Sequence, residues 1–277
     1  MWNSFYLFAG RCVRRFRTII ELKDHAKFMS TPFESVVKSG CNDDKLARLD
    51  QIDIVSIAYN NDKVIAHQIR LIRKYLVDPW CYTVADNSSD PHFRDSIAAL
   101  CKQQGISYVG LPANSFRNPS MSHGSALNWI YHRYIKKRSA QFFGFIDHDI
   151  YPIRPTRIIP HLLGKSAYGH FQKRGHRWYL WPGFSFFERS ATENVELNFL
   201  PILGLDTGGG NYSVFYSQLK ANDLVHPFHT YGRLREGDCH QSASYECIGD
   251  WLHTFNGSYW IPVPGKEDLI AELLAKY

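Results

Sequence analysis

The chain has 277 residues, enough for one large α/β domain or two small ones, and its 44% hydrophobic content supports a sizeable core. No run reaches the ~18 apolar residues a membrane span needs, and the six cysteines are scattered without a CxxC pair, which argues against a zinc knuckle or a dithiol redox motif. The net charge of +6 suits an anionic small molecule, a phospholipid surface or nucleic acid, and does not choose among them.

Residues 1–50 read as an N-terminal extension, mixed in charge and without strand alternation. Met1–Gly10 is apolar and aromatic, and Arg11, Arg14, Arg15 and Arg17 follow it. A secretory signal puts its charges first, so the order is wrong for one. The scattered cysteines read as reduced thiols, and the expected location is cytoplasmic. An aromatic stretch beside arginines suits peripheral contact with the inner face of a membrane. A helix packed on the domain, with its arginines in water, suits it equally.

From Ile52 the pattern changes. Ile52–Ala58 is β-branched and apolar and reads as a buried strand, ending in the polar turn Tyr59-Asn60-Asn61-Asp62. Val64, Ile65, Ile69, Ile72 and Leu76 then follow helical spacing. Trp80–Ala85 is a second strand and stops on Asp86-Asn87-Ser88-Ser89-Asp90. A helix from Phe93 to Gln104, a strand Ser107–Gly110 and a helix from His123 to Lys137 come next. The run Phe142–Ile146 is strand-length and ends in two carboxylates one residue apart, Asp147-His148-Asp149. Ionised carboxylates in such a place need a cation, water or backbone donors.

This alternation predicts an α/β fold with a mostly parallel sheet flanked by helices. Ligands in such folds bind beyond the carboxyl ends of the strands, so the three polar clusters should gather along one edge. Neither GxGxxG nor GxxxxGK[ST] is present, which argues against a Rossmann dehydrogenase and a P-loop NTPase. After Asp149 the texture is less regular and more aromatic. It includes His170, His176, Trp178, Tyr179, Trp181 and Phe184, then a Gly-rich turn at Leu205–Asn211. Lys266–Tyr277 reads as a short amphipathic helix.

Four segments, in this order, resemble the donor half of family 2 glycosyltransferases with the GT-A fold. They are Val55–Asn61, Val84–Asp90, His123–Asn128 and Phe145–Asp149. The likeness covers residues 52–150 well and the remainder loosely. Trp251–Trp260 is similar to a late His motif found in some members. The resemblance implies one GT-A domain over 51–265, with a nucleotide-sugar half (51–150), an acceptor half (151–265) and a C-terminal helix (266–277).

The resemblance also implies roles. Ala58, Tyr59 and Asn60 would frame base and ribose, and Asp86 would accept from the base N–H edge. Gly124 and Asn128 would lie beside the nucleotide. Asp147 would reach ribose or metal, and Asp149 would ligate Mn²⁺ or Mg²⁺, hard cations suited to oxygen ligands and a diphosphate. His253 would be a third ligand or a donor to the diphosphate, and as a ligand a histidine favours Mn²⁺. His148 is expected to pack rather than ligate. An inverting transferase needs a carboxylate base; Asp206 is the first choice, with Glu188, Asp223 and Asp238 as alternatives. The usual Glu-Asp pair is missing at that place. Trp181, Gly183 and Phe184 would form a platform for the acceptor.

The expected partners are a nucleotide-sugar donor, UDP-linked by preference, and a glycan or other hydroxyl acceptor, with no nucleic acid. A metal-dependent phosphoesterase using Asp147, His148, Asp149, His170, His176 and His253 competes with this reading, as does a sugar nucleotidyltransferase. Outside enzymes, a basic module binding nucleic acid or a lipid surface competes, although no RNA-binding motif is present.

Overall fold

The computed structural model describes residues 19–40, 50–202, 204–234, 244–255 and 264–277. A helix over residues 19–30, α1, precedes a two-residue strand, β1 (Lys38–Ser39). The aromatic and arginine-rich segment before it lies outside the described residues. From residue 52 strands and helices alternate. β2 (Ile52–Ala58) is buried at every position. Asn61 caps α2 (Asp62–Tyr75) by accepting the Val64 N–H at 3.1 Å. The buried residues of α2, among them Ile65, Ile69 and Ile72, lie on one stripe at helical spacing.

β3 (Trp80–Asp86), α3 (Pro91–Gln103), β4 (Ser107–Gly110), α4 (Pro119–Arg133) and β5 (Phe142–Asp147) follow. α3 and α4 begin alike. Asp90 and Asn118 each accept a backbone N–H, and a proline fills the first turn, where its missing donor is no loss. β2 and β4 match their sequence-predicted bounds. α4 begins earlier than its apolar pattern suggested because Asn118-Pro119 starts it, and Ile135–Lys137 is a separate 3-10 turn.

Beyond β5 come β6 (Ile150–Pro152), α5 (Ile159–Leu162), β7 (Ala167–Arg174), β8 (Arg177–Glu188), α6 (Arg189–Thr192), α7 (Asn211–Val214) and β9 (Leu224–Val225). β10 (His229–Arg233), β11 (Ser244–Ile248), β12 (Trp251–His253) and α8 (Lys266–Leu274) complete the described chain. The stretch read from sequence as irregular is a long antiparallel hairpin, β7–β8, with a register shift between Gly169 and Phe171. Pro182-Gly183 in β8 and the shift in β7 break the alternation that would have revealed it.

The large sheet runs β1-β4-β3-β2-β5-β8-β7-β9. β4, β3, β2 and β5 are parallel, and β8 and β7 then alternate in direction. The chain leaves β2 toward β3 and β4, then returns to place β5 on the other side of β2. That reversal makes a crevice beyond the carboxyl ends of β2 and β5. β2 alternates as it should: Val55 and Ile57 join the core under α1 and α4, while Ile52 and Ile54 join the core under α2 and α3. Burying each such side chain contributes about 1.5–3 kcal/mol. Residues before 51 take part as well, since β1 pairs with β4 and the Trp129 indole of α4 donates to Thr31 O at 3.0 Å.

The second sheet, β10-β11-β12-β6, is antiparallel. One face, with Tyr151 and Leu252, packs on Val64 and Leu71 of α2 and on Ile270 and Leu274 of α8. The other face turns toward β8. At the N-terminal edge of the large sheet, buried Asp53 meets Arg138 Nε at 2.9 Å and Arg189 Nη2 at 3.7 Å. Cys81, Cys101 and Cys247 are free thiols, while Cys12, Cys41 and Cys239 lie outside the described residues. No helix among the described residues is long and apolar enough to cross a membrane.

Candidate metal centre at the junction of the two sheets

β5 ends at Asp147, the chain turns through His148 and Asp149, and β6 begins the second sheet. Several bonds hold this turn. Gln68 of α2 donates to Asp147 O and Ile150 O, both at 2.7 Å, while its own Oε1 accepts from the Tyr82 hydroxyl at 2.5 Å. His148 is buried and accepts the Tyr59 N–H on Nδ1 at 3.2 Å. Burial pushes its pKa down, which keeps the ring neutral and able to accept. His148 therefore ties the turn to β2, as expected of a packed histidine. Thr254 donates its backbone N–H to Asp149 O at 3.0 Å, fastening the turn to the end of β12.

The carboxylates of Asp147 and Asp149 and the imidazole of His253 converge, with one ligand atom of each within 4.8 Å of the others. His253 Nε2 stands 3.5 Å from Asp149 Oδ1, and His123 Nε2 stands 3.4 Å from Asp147 Oδ1. Burial raises the Asp147 carboxyl above its ordinary value; His123 opposes the shift and Asp149 adds to it. For His253 burial alone would lower the pKa, but the carboxylates of Asp149, Glu246 and Asp147 outweigh it and raise it to about 9. Two carboxylates and one imidazole nitrogen form a donor set that fits Mn²⁺, and the hard oxygens alone fit Mg²⁺.

Glu246 and Lys266 also stand here, and sequence reasoning missed both. Glu246 is buried beside His253, with Oε2 3.4 Å from its Nδ1. Burial pushes the Glu246 carboxyl up, but His253 and His170 prevail and hold it below its ordinary value. Lys266, first residue of α8, is buried and donates to Phe255 O. Burial lowers its amine to about 8 against the pull of Asp149.

The three polar clusters gather along one edge, as anticipated. Asn60, with φ of 45°, accepts the Ser89 and Asp90 N–H groups on Oδ1 at 3.0 and 3.2 Å, and its own N–H donates to Ser88 Oγ at 2.8 Å. Ala58 O accepts the Asn87 N–H at 2.9 Å. Tyr59 is half-buried, its hydroxyl 3.2 Å from Ser89 Oγ. Asp86 is fully buried; Oδ1 accepts from Ser88 N–H at 2.8 Å and Oδ2 from the Tyr108 hydroxyl at 2.9 Å. These bonds describe a carboxylate that holds its own loop. Direct contact with a base would require part of that loop to open.

Gly124 and Asn128 serve the chain itself. A Cβ on Gly124 would lie 2.7 Å from Phe199 O, and Asn128 Oδ1 accepts the Phe199 N–H at 2.8 Å. Trp181 lies over His253 with ring centroids 4.7 Å apart, and Gly183 gives its indole room. Phe184 is a core residue, packed edge-on to Phe186 and Trp251, and presents no open face to an acceptor.

Among the base candidates, Asp206 is half-buried and its Oδ1 accepts the Thr207 N–H at 2.8 Å; none of its described contacts joins it to the converging groups. Glu188 pairs with Phe142, at the far end of β5 from Asp147. Asp223 accepts the Lys220 N–H at 2.8 Å, and Asp238 lies outside the described residues. Of the histidines a phosphoesterase would recruit, only His253 joins the two aspartates; His176 is exposed in the β7–β8 turn.

No family model matches the sequence, and no curated protein sequence does. Among solved structures, residues 1–349 of S. aureus TarS align over 59% of this chain and 54% of that one, at 16% identity and a TM-score of 0.39. A mannosyltransferase from Pyrobaculum calidifontis, in complex with GDP-Man and Mn²⁺, aligns over 69% of this chain and 57% of its own, at 13% identity and a TM-score of 0.40. Glucosyl-3-phosphoglycerate synthase from Mycobacterium tuberculosis, in complex with Mn²⁺ and UDP, aligns over 51% and 58%, at 18% identity and a TM-score of 0.35. The chain spans less than two thirds of each of these proteins.

Proposed function

We propose that this chain is a metal-dependent glycosyltransferase. It would move a sugar from a nucleoside-diphosphate donor, UDP-linked by preference, to an acceptor hydroxyl with inversion. The observation that carries the reading is the meeting of Asp147, Asp149 and His253 at the crevice formed where the strand order reverses. The ordered segments from Val55 to Asp149 support it: three of them end β2, β3 and β5 at that edge, and the fourth, His123–Asn128 within α4, brings His123 beside Asp147.

In this reading Asp147, Asp149 and His253 hold Mn²⁺ or Mg²⁺, which when bound would neutralise charge developing on the departing diphosphate. The loops after β2 and β3 receive the nucleoside. Trp181, beside His253, offers a ring edge to the sugar. The acceptor oxygen attacks the anomeric carbon, the bond from that carbon to the diphosphate breaks, and the acceptor proton passes to a carboxylate base. The base is assigned to Asp206 on the resemblance. Residues 51–265 act as one catalytic domain.

The test is release of nucleoside diphosphate from UDP- and GDP-sugars with Mn²⁺ present. Wild-type protein should turn over at least one donor, and EDTA should stop it. Unchanged turnover in excess EDTA, or by Asp149→Ala, would sink the metal mechanism. Asp206→Asn should bind the donor and fail to transfer; normal transfer moves the base elsewhere.

A further inference from the structure

We infer that Glu246 is the positioning residue for His253: it holds the proton on Nδ1 and so leaves Nε2 to face Asp147 and Asp149 as a ligand. The inference rests on the metal-dependent reading and deepens it. A neutral imidazole presents its lone pair on one nitrogen only, and the group bonded to the other nitrogen decides which. Glu246 Oε2 is 3.4 Å from Nδ1, and an ionised carboxylate can only accept there. Nε2 is then the free side, 3.5 Å from Asp149 Oδ1.

The backbone sets this pairing. Glu246 sits directly across from His253 in the β11–β12 ladder, so both side chains leave the same face as neighbours. Two rings limit rotation of the imidazole, Trp181 at 4.7 Å and Phe255 at 4.4 Å between centroids. Glu246 is itself held from the far side. Its Oε1 stands 3.6 Å from His170 Nε2, across the gap to the large sheet. His170 falls at the register shift in β7, between Gly169 and Phe171, where a bulge re-aims a side chain. Glu246 and both histidines are more than nine-tenths buried, so water does not replace these contacts.

The experiment titrates the full chain with Mn²⁺ and reads unbound Mn²⁺ by electron paramagnetic resonance. Melting temperatures without metal serve as the check on folding. Asp149→Ala should lose binding. Glu246→Ala should fold and bind Mn²⁺ ~10–100-fold more weakly. Glu246→Gln keeps an acceptor oxygen and should recover part of that loss, which a purely structural role would not predict for metal affinity. A folded Glu246→Ala with wild-type affinity overturns the inference while leaving the metal reading intact, provided Asp149→Ala has lost binding. If Glu246→Ala fails to fold, Glu246→Gln decides alone: a loss of about threefold or more supports the inference, and wild-type affinity overturns it. If wild type and Asp149→Ala bind alike, the metal reading falls and the inference with it.

Discussion

Strand β2 touches a buried carboxylate cluster at each end, and the two clusters are built on opposite principles. At its start Asp53 lies between Arg138 and Arg189, cations that never lose their charge. At its finish the Tyr59 N–H holds the turn that carries Asp147 and Asp149, and these two like charges face His123, His253 and the Lys266 amine, none of them a guanidinium. The first cluster is complete within the chain. The second is balanced by groups that can exchange a proton for something else. A fold that can bury a carboxylate against arginine at one edge, yet assembles carboxylates against imidazole at the other, separates a structural charge from a working one.

Substitutions can break that contrast, and the largest effect is expected at the working end. Asp149→Ala should cost about 10³-fold in donor turnover, since the several kcal/mol of charge stabilisation it organises is lost. Its melting temperature should change little. Asp53→Ala should do the reverse. Removing the carboxylate takes the anion from between the two guanidinium groups, which keep their hydrogen bonds to Tyr134, Ala140 and Ile135, and should destabilise by about 3–5 kcal/mol, read by urea unfolding, with turnover per folded molecule unchanged. If Asp53→Ala lost turnover instead, the two clusters would be coupled and the distinction wrong. Gln68→Ala should fall between, costing about 1–3 kcal/mol because it strands the Tyr82 hydroxyl and releases two carbonyls of the Asp147–Ile150 turn. It should also weaken Mn²⁺ binding, which Asp53→Ala should not. Smallest of all, Lys63→Ala removes an ion pair to Glu267 that stands in water, and neither melting temperature nor turnover should move measurably.

The parallel half of the large sheet was legible because buried parallel strands read as continuous apolar runs with polar stops, and β2 through β5 do so. Asp147, Asp149 and His253 came from the resemblance and meet in space. The β7–β8 hairpin was not legible, since Pro182-Gly183 and a bulge interrupt its period. Glu246 was invisible for a different reason. It is one acidic residue in a short polar strand, and its meaning comes from standing opposite His253 in the ladder, which depends on a pairing register that spacing along the chain does not reveal. Asp86 was read as a base contact, and its described bonds go to Ser88 and Tyr108, partners set by folding of its own loop and strand. Gly124 was read as lying beside the nucleotide, and on its Cβ side it meets the backbone at Phe199, a packing partner that only the fold reveals.

The large sheet begins and ends on strands of two residues, β1 and β9. A full-length border strand would offer a row of free amides and carbonyls to any passing chain. Here β1 covers Tyr108 and Val109 of the four-residue β4, and β9 covers Ala167 and Tyr168 of the eight-residue β7. Gly169–Arg174 of β7 runs on past β9, so edge-to-edge stacking of copies through this margin would have to start on that stretch.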